Sequence, residues 1–354
     1  MERSPVKFAV RGFFIGRFYC LLFQKLRYQS MVEFHICISI GTRRCGERLY
    51  PLKQMELSNI LTYYYLEKLV KLDNKEEMTK FVRRYIPKSV RKTIRNVLFF
   101  PIDIIDAVLG RRDELTPPKS MIFIGDGDFK SIGKAFLKNF VEIGYLKKTD
   151  SVLDVGCGIG RMAVPLTNYL SNDSRYEGFD IVPEGIEWCN KEITSRYPNF
   201  HFQVADIYNE EYNPKGIYKS SNYSFPYDDA SFDFLFLTSV FTHMLATDVE
   251  NYMSEISRVT KKGKRVLITF FLLNSESLNL SNAKLSKLDF KYQLDGCKTI
   301  DQDIPEKAIA YDEETIRHLL KKNDLELDGS IHYGSWCGRE NYLGYQDIVV
   351  AVKR

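Results

Sequence analysis

The chain has 354 residues, 44% of them apolar and 27% charged, which excludes disordered, collagen-like and coiled-coil classes and suits two globular units. Its formal charge of +4 conceals an uneven distribution: residues 1–120 hold 23 Lys and Arg against 12 Asp and Glu, whereas residues 121–354 hold 27 against 34. A basic N-terminal third ahead of an acidic body predicts an accessory arm, either docked on an anionic surface or packed on the body with its charges solvated.

The seven cysteines (Cys20, Cys37, Cys45, Cys157, Cys189, Cys297 and Cys337) form no CxxC pair, so no metal site and no disulfide framework is expected, and a reducing compartment fits. No apolar stretch approaches the ~20 residues that span a bilayer. The expected location is cytoplasmic, with peripheral membrane contact as the alternative.

Residues 1–55 show no clean period and are expected to form a flexible basic tail. Residues 56–120 predict a mainly helical basic region and a linker: Leu57, Ile60, Leu61, Tyr64, Tyr65, Leu69 and Leu72 recur at helical steps. Residues 80–95 carry seven Lys and Arg with no acid and run into the apolar stretch Val97–Ile102. Such a segment, residues 80–102 in all, lies on an anionic membrane surface or packs its apolar side on the body. No nucleic-acid-binding motif is present, so nucleic acid is not an expected partner.

From residue 121 the chain predicts a three-layer α/β domain, with apolar strands alternating with amphipathic helices. Strands are expected at 151–155, 176–179, 200–205, 232–237 and 264–271, and helices at 161–170, 183–196 and 247–259. The helix at 247 has Thr247 and Asp248 as expected caps and stops at Lys262-Gly263. A polar insertion at 274–310 precedes a helix at 312–322. Strands near 325–333 and 346–353 follow with no helix between them, which predicts a hairpin at one sheet edge.

The sharpest motif is Val152-Leu-Asp154-Val-Gly156-Cys-Gly158-Ile-Gly160-Arg161. A buried strand ends in an acid and three alternating glycines, and a helix then opens with unpaired amides. The spacing is GxGxG, not the dinucleotide GxGxxG, and Asp154 suits a cationic ligand better than a pyrophosphate. Asp180 and Asp206 close the next two strands, the place where doubly wound sheets bind ligands. One such acid alone is often a solvated strand end or a helix cap; three in register argue for a site.

The runs DVGCGIGR, GFD, AD, FDFLFLTSVFTHM and EISRVTKKGKRVLITFF together resemble the class I (Rossmann-like) S-adenosylmethionine-dependent methyltransferases, of a bacterial small-molecule or glycan type. The resemblance covers roughly residues 121–354. It implies a seven-stranded mixed sheet of order 3-2-1-4-5-7-6 with strand 7 antiparallel. It also implies that Gly156, Gly158 and Gly160 pass the methionine part of S-adenosylmethionine and that Asp154 orders its ammonium end. Asp180 would take the ribose, Asp206 with Ile207 the adenine, and Phe129, in the entry loop Phe123–Lys130, would cover the methionine arm. Thr260-Lys-Lys-Gly263 stands where the family has Pro-Gly-Gly.

Methyl transfer chiefly needs alignment of donor and acceptor, with a base where the acceptor is a neutral amine or hydroxyl. His243, in Thr238-Ser-Val-Phe-Thr-His243-Met after strand four, is the candidate base; a histidine capping the next helix is the plainer alternative. No Asn/Asp-Pro-Pro-Tyr run occurs there, which disfavours exocyclic-amine methylation of nucleic acid. Trp336 and Arg339, in Gly334-Ser-Trp-Cys-Gly-Arg339, are candidate acceptor contacts through stacking and charge. The expected acceptor is a small molecule, a glycan or a lipid-linked precursor. The competing expectation is a non-catalytic cofactor-binding partner that docks on a membrane or protein complex through its basic arm.

Overall fold

The computed structural model describes residues 99–122, 128–209 and 212–354. The expected basic tail, the helix from Leu57, the basic run at 80–95 and the entry-loop residues 123–127 lie outside the described residues.

Seven strands form the main sheet: β1 (Val152–Val155), β2 (Tyr176–Asp180), β3 (Phe200–Val204), β4 (Phe232–Leu237), β5 (Thr260–Phe270), β10 (Leu325–Leu327) and β11 (Asp347–Lys353). Their order is β10-β11-β5-β4-β1-β2-β3. The five N-terminal strands are parallel, and β11 runs antiparallel to both β5 and β10. This is the expected order, with the terminal hairpin at the edge.

Burial on both faces explains the unbroken apolar runs, because parallel strands with helices on either side need apolar groups at every position. Leu153 and Val155 enter one core cluster and Val152 the other; Leu235 and Leu237 likewise oppose Phe234 and Phe236. Helix α1 (Phe129–Glu142) starts at Asp128, whose carboxylate accepts from Ser131 N–H at 2.7 Å. Its Phe140 stacks on Phe236 with ring centroids 4.3 Å apart.

Three local expectations need correction. The helix after the glycine loop is a single turn, α2 (Ala163–Leu166). Helix α3 (Pro183–Cys189) passes into a π-helical turn, Asn190–Thr194, where a continuous helix was expected. Helix α4 (Ala246–Val259) has Leu245 at its N-cap with no side-chain cap bond, so Thr247 and Asp248 lie in its first turn. It passes directly into β5, and Gly263 stands within that strand at φ +77°.

The insertion is folded. It carries β6 (Leu272–Leu273), α5 (Ser275–Asn282), β7 (Tyr292–Leu294), β8 (Cys297–Thr299) and β9 (Ile309–Asp312), followed by α6 (Glu313–Lys322). A second sheet of order β6-β9-β8-β7 results. Its short strands gave no alternation long enough to register in the sequence. A small core of Phe271, Leu273, Phe290, Ala308, Ala310, Trp336 and Cys337 sits beside it.

Residues 99–108 are helical, with Phe100, Ile104, Ile105 and Val108 exposed. Asp103 and Asp106 bind the backbone and side chain of Lys119, each at 2.7 Å. Among the described residues no helix is long and apolar enough to cross a membrane, and no cluster of His, Cys, Asp or Glu could hold a metal ion.

Candidate functional site at the ends of the parallel strands

The loop after β1 turns through Gly156, Gly158 and Gly160 at φ +79°, +58° and +73°, a region that side chains with a Cβ disfavour. Packing adds a second reason. A Cβ on Gly156 would stand 2.4 Å from Val240 Cγ2, and one on Gly160 2.7 Å from Ile193 Cδ1. The glycines therefore let the segment after β4 and the π-helical turn press directly on the loop.

Asp180, nearly buried at the end of β2, shapes this loop. One carboxylate oxygen accepts from Gly158 N–H at 2.8 Å and the other from Val182 N–H at 2.9 Å. Burial raises its carboxyl above the usual range, opposed by these amides. Each oxygen keeps a second lone pair. Asp180 is thus a loop-builder first.

Asp154 has no exposed surface. Its Oδ2 accepts from the Tyr176 hydroxyl at 2.6 Å, while Oδ1 has no hydrogen-bond partner among the described residues. Burial pushes this carboxyl up to about 8, with the Tyr176 bond opposing and the nearby Asp180 charge adding. A buried carboxyl with an unsatisfied oxygen suits a positive charge nearby, since such a charge lowers its pKa. Cys157, in the same loop, is buried and its thiol is pushed well above the usual range, mainly by burial, which removes any nucleophilic role.

After β3, Asp206 is exposed. Its carbonyl accepts from Ile217 and Tyr218 N–H at 3.0 and 3.1 Å, and its carboxylate meets Asn213 Nδ2 at 3.3 Å. Ile207 beside it is buried in the main core. Phe129 is also buried, packed among the residues of the opposite core, with the Arg161 guanidinium 5.7 Å from its ring centre.

After β4, Ser239 adopts φ +61°, unusual for a residue other than glycine. Its N–H donates to Thr269 Oγ1 at 2.8 Å, and its hydroxyl donates to Gln346 Oε1 at 2.9 Å. The 3₁₀ turn Phe241–His243 follows. His243 Nδ1 stands 2.8 Å from the Glu306 carbonyl oxygen, and the buried Thr242 hydroxyl has no partner among the described residues.

The structure places Trp336 and Arg339 differently from the expectation. Trp336 is 1% exposed and its indole N–H donates to Asp347 Oδ2 at 2.8 Å. Arg339 is buried, donating to Asp347 Oδ1 at 3.1 Å and Glu276 Oε2 at 2.8 Å, with its guanidinium 4.5 Å from the Tyr333 ring centre. Both side chains are committed to holding the insertion on β11, and neither presents a surface to an acceptor. Beside them, at the ends of β6 and β9, opens a cleft of about 840 Å³ lined by Asn274, Glu276, Asp312, Glu313, Glu314 and Tyr333 among others. Arg339 supports its wall by gripping Glu276.

Sequence reasoning missed Tyr176, Ser239 and Glu306. Tyr176 could have been suspected, because an aromatic hydroxyl in a buried strand needs a partner. Ser239 acts through its backbone and Glu306 through a carbonyl, and residue type signals neither.

The Methyltransferase domain family matches residues 146–324, half of the chain. An uncharacterized methyltransferase of Schizosaccharomyces pombe is 31% identical over 119 residues, 34% of this chain and 39% of its own length. A putative methyltransferase of Invertebrate iridescent virus 6 is 26% identical over 157 residues, 44% of this chain and 49% of its own. The chain thus spans less than half the length of these relatives. Among solved structures, the PH0226 protein of Pyrococcus horikoshii OT3 is 17% identical with a TM-score of 0.47, covering 66% of this chain and 95% of that one. With a seven-stranded mixed sheet and its acids at the strand ends, the chain belongs to the methyltransferase-domain family.

Proposed function

We propose that this protein transfers a methyl group from S-adenosylmethionine to a hydroxyl or amine of a small molecule, a glycan or a lipid-linked precursor, with His243 as the base. The observation that carries this reading is the His243 ring, held after β4 with its Nδ1 on a carbonyl oxygen. A carbonyl only accepts, so Nδ1 carries a hydrogen there and the ring is held in a fixed orientation. The cofactor, when bound, supplies a methyl group already activated by its sulfonium. The protein's share is alignment, a glycine loop open to the cofactor's amino-acid end, and removal of one proton from the acceptor. By this reading Asp180 meets the ribose with its remaining lone pairs, and Asp206 and Ile207 flank the adenine. The polar lining of the 840 Å³ cleft suits an acceptor rich in hydroxyl or amine groups.

Calorimetry with S-adenosylmethionine and with NAD is the first test; only the former is expected to bind. His243→Ala is expected to lower turnover by ~10²-fold or more with cofactor affinity near wild type. Equal loss of both would mark His243 as structural. The acceptor is sought by comparing metabolites and glycans of a deletion strain with its parent, looking for a species lighter by one methylene.

A second reading concerns the N-terminal region. The helix at 99–108, which exposes Phe100, Ile104 and Val108, adjoins the basic run, and this favours peripheral contact of residues 80–102 with an anionic membrane. Co-sedimentation with phosphatidylserine vesicles, lost at high salt, is the expected result; no binding at any salt concentration removes the proposal.

A further inference from the structure

We propose that Gln346 contacts the methyl acceptor: its side-chain amide, turned by the Ser239 hydroxyl, offers its N–H donors to a neutral oxygen of the molecule being methylated. This rests on the methyltransferase reading and names what the acceptor carries beside its reacting group.

A chain of contacts gives the position. Val240 lies against the glycine loop, since a Cβ on Gly156 would stand 2.4 Å from Val240 Cγ2. Ser239, the residue before it, bonds through its hydroxyl to Gln346 Oε1 at 2.9 Å. On its other side the Gln346 backbone meets Gly334, where a Cβ would stand 2.4 Å from the Gln346 carbonyl carbon. Gly334 follows Tyr333, which lines the cleft of about 840 Å³. Because β11 runs antiparallel, its first residue, Asp347, pairs with Phe270 at the end of β5, so Gln346 lies at the edge where the parallel strands finish. Gln346 thus stands between the glycine loop and the cleft, where by the reading above donor and acceptor have to meet.

The orientation is fixed from the backbone outward. Ser239 holds φ +61°, which a residue with a Cβ keeps only where its surroundings over-determine it. Here its N–H donates at 2.8 Å to the Oγ1 of Thr269, fully buried on β5. The hydroxyl is then aimed at Gln346. An amide whose oxygen is engaged presents its nitrogen on the other arm. Gln346 is half-buried, and its Nε2 has no partner among the described residues. Those donors call for an oxygen. Glu276, Asp312, Glu313 and Glu314 along the cleft disfavour a phosphate or carboxylate beside them, which leaves a hydroxyl, ether or carbonyl oxygen.

The probe is S-adenosylmethionine tritiated in its methyl group, supplied to the full chain with the metabolite extract of a deletion strain at serial dilutions. Gln346→Ala is expected to raise the half-saturating extract concentration by about 3- to 10-fold, with the plateau rate and cofactor affinity near wild type. Gln346→Glu keeps an oxygen for Ser239 but turns a second oxygen to the acceptor, and is expected to raise it by about 10-fold or more. Ser239→Gly suits the φ of +61° and releases the amide, and is expected to fall between wild type and Gln346→Ala. Should Gln346→Ala fail to fold, Gln346→Met keeps the length and removes the donors. Unchanged half-saturation in the folded Gln346 variants, or a loss of plateau rate alone, overturns the proposal while the methyltransferase reading stands. A Gln346→Glu equal to wild type overturns it as well, because the amide would then face the acceptor with its oxygen. A wild type that binds S-adenosylmethionine and labels nothing overturns the enzymatic reading, and this proposal with it.

Discussion

Asp154 shows what a single buried acid costs and what it can report. Its carboxyl lies at about 8 in the folded protein against 3.8 ordinarily, raised chiefly by burial. A raised folded-state value contributes stability that is full below the ordinary value and lost as pH climbs to the folded one. The melting temperature of cofactor-free Asp154→Asn is therefore expected to exceed that of wild type by a margin that grows from pH 4 to pH 8. A constant margin would contradict this. Ligand binding should show the opposite face of the same chemistry. The ionised carboxylate attracts a cation, so affinity for S-adenosylmethionine is expected to rise with pH through about 8. Calorimetry in buffers of different ionisation enthalpy should detect proton release on binding, and Asp154→Asn should abolish both effects.

Among the elements, the glycine loop is where backbone geometry and packing meet. Gly156→Ala imposes a Cβ at φ +79°, for about 1–2 kcal/mol. It also drives that Cβ into Val240 Cγ2, on a side chain that cannot easily rotate away. Denaturant unfolding should show a loss of ~2 kcal/mol or more. Gly156→Ala with Val240→Ala should recover only the contact part, a non-additivity that a double-mutant cycle reads directly. The alternating glycines were plain in the sequence. That two of them answer to Val240 and Ile193, residues 84 and 33 positions downstream, was not, because sequence spacing carries no record of which distant segment folds onto a loop.

Across the whole molecule, Asp347 ties the insertion to the sheet. Its buried carboxylate accepts from Leu272 N–H and Gly334 N–H at 2.7 Å each, as well as from Trp336 and Arg339. Asp347→Ala leaves the Arg339 guanidinium buried beside a void and is expected to cost about 3–5 kcal/mol, measured by denaturant unfolding. Asp347→Asn, which keeps the shape and part of the bonding, should cost less. Trp336 and Arg339 were candidates for acceptor binding because their chemistry permits it. Burial assigns them to Asp347, and only the packing of three chain segments could show that.

The sequence by itself determined the main sheet and its order. Strands buried on both faces must be apolar throughout, a tight loop must use glycine, and strand-end acids mark where a parallel sheet receives a ligand; each of these is a local demand on residue type. The tertiary structure alone decided the folded insertion, the contact of His243 with the Glu306 carbonyl, the enclosure of Asp154 and the burial of Trp336 and Arg339. These depend on backbone groups and on contacts between residues far apart in the chain, as the 75 positions between Leu272 and Asp347. Such contacts arise only when the chain has closed on itself, and no single residue type announces them.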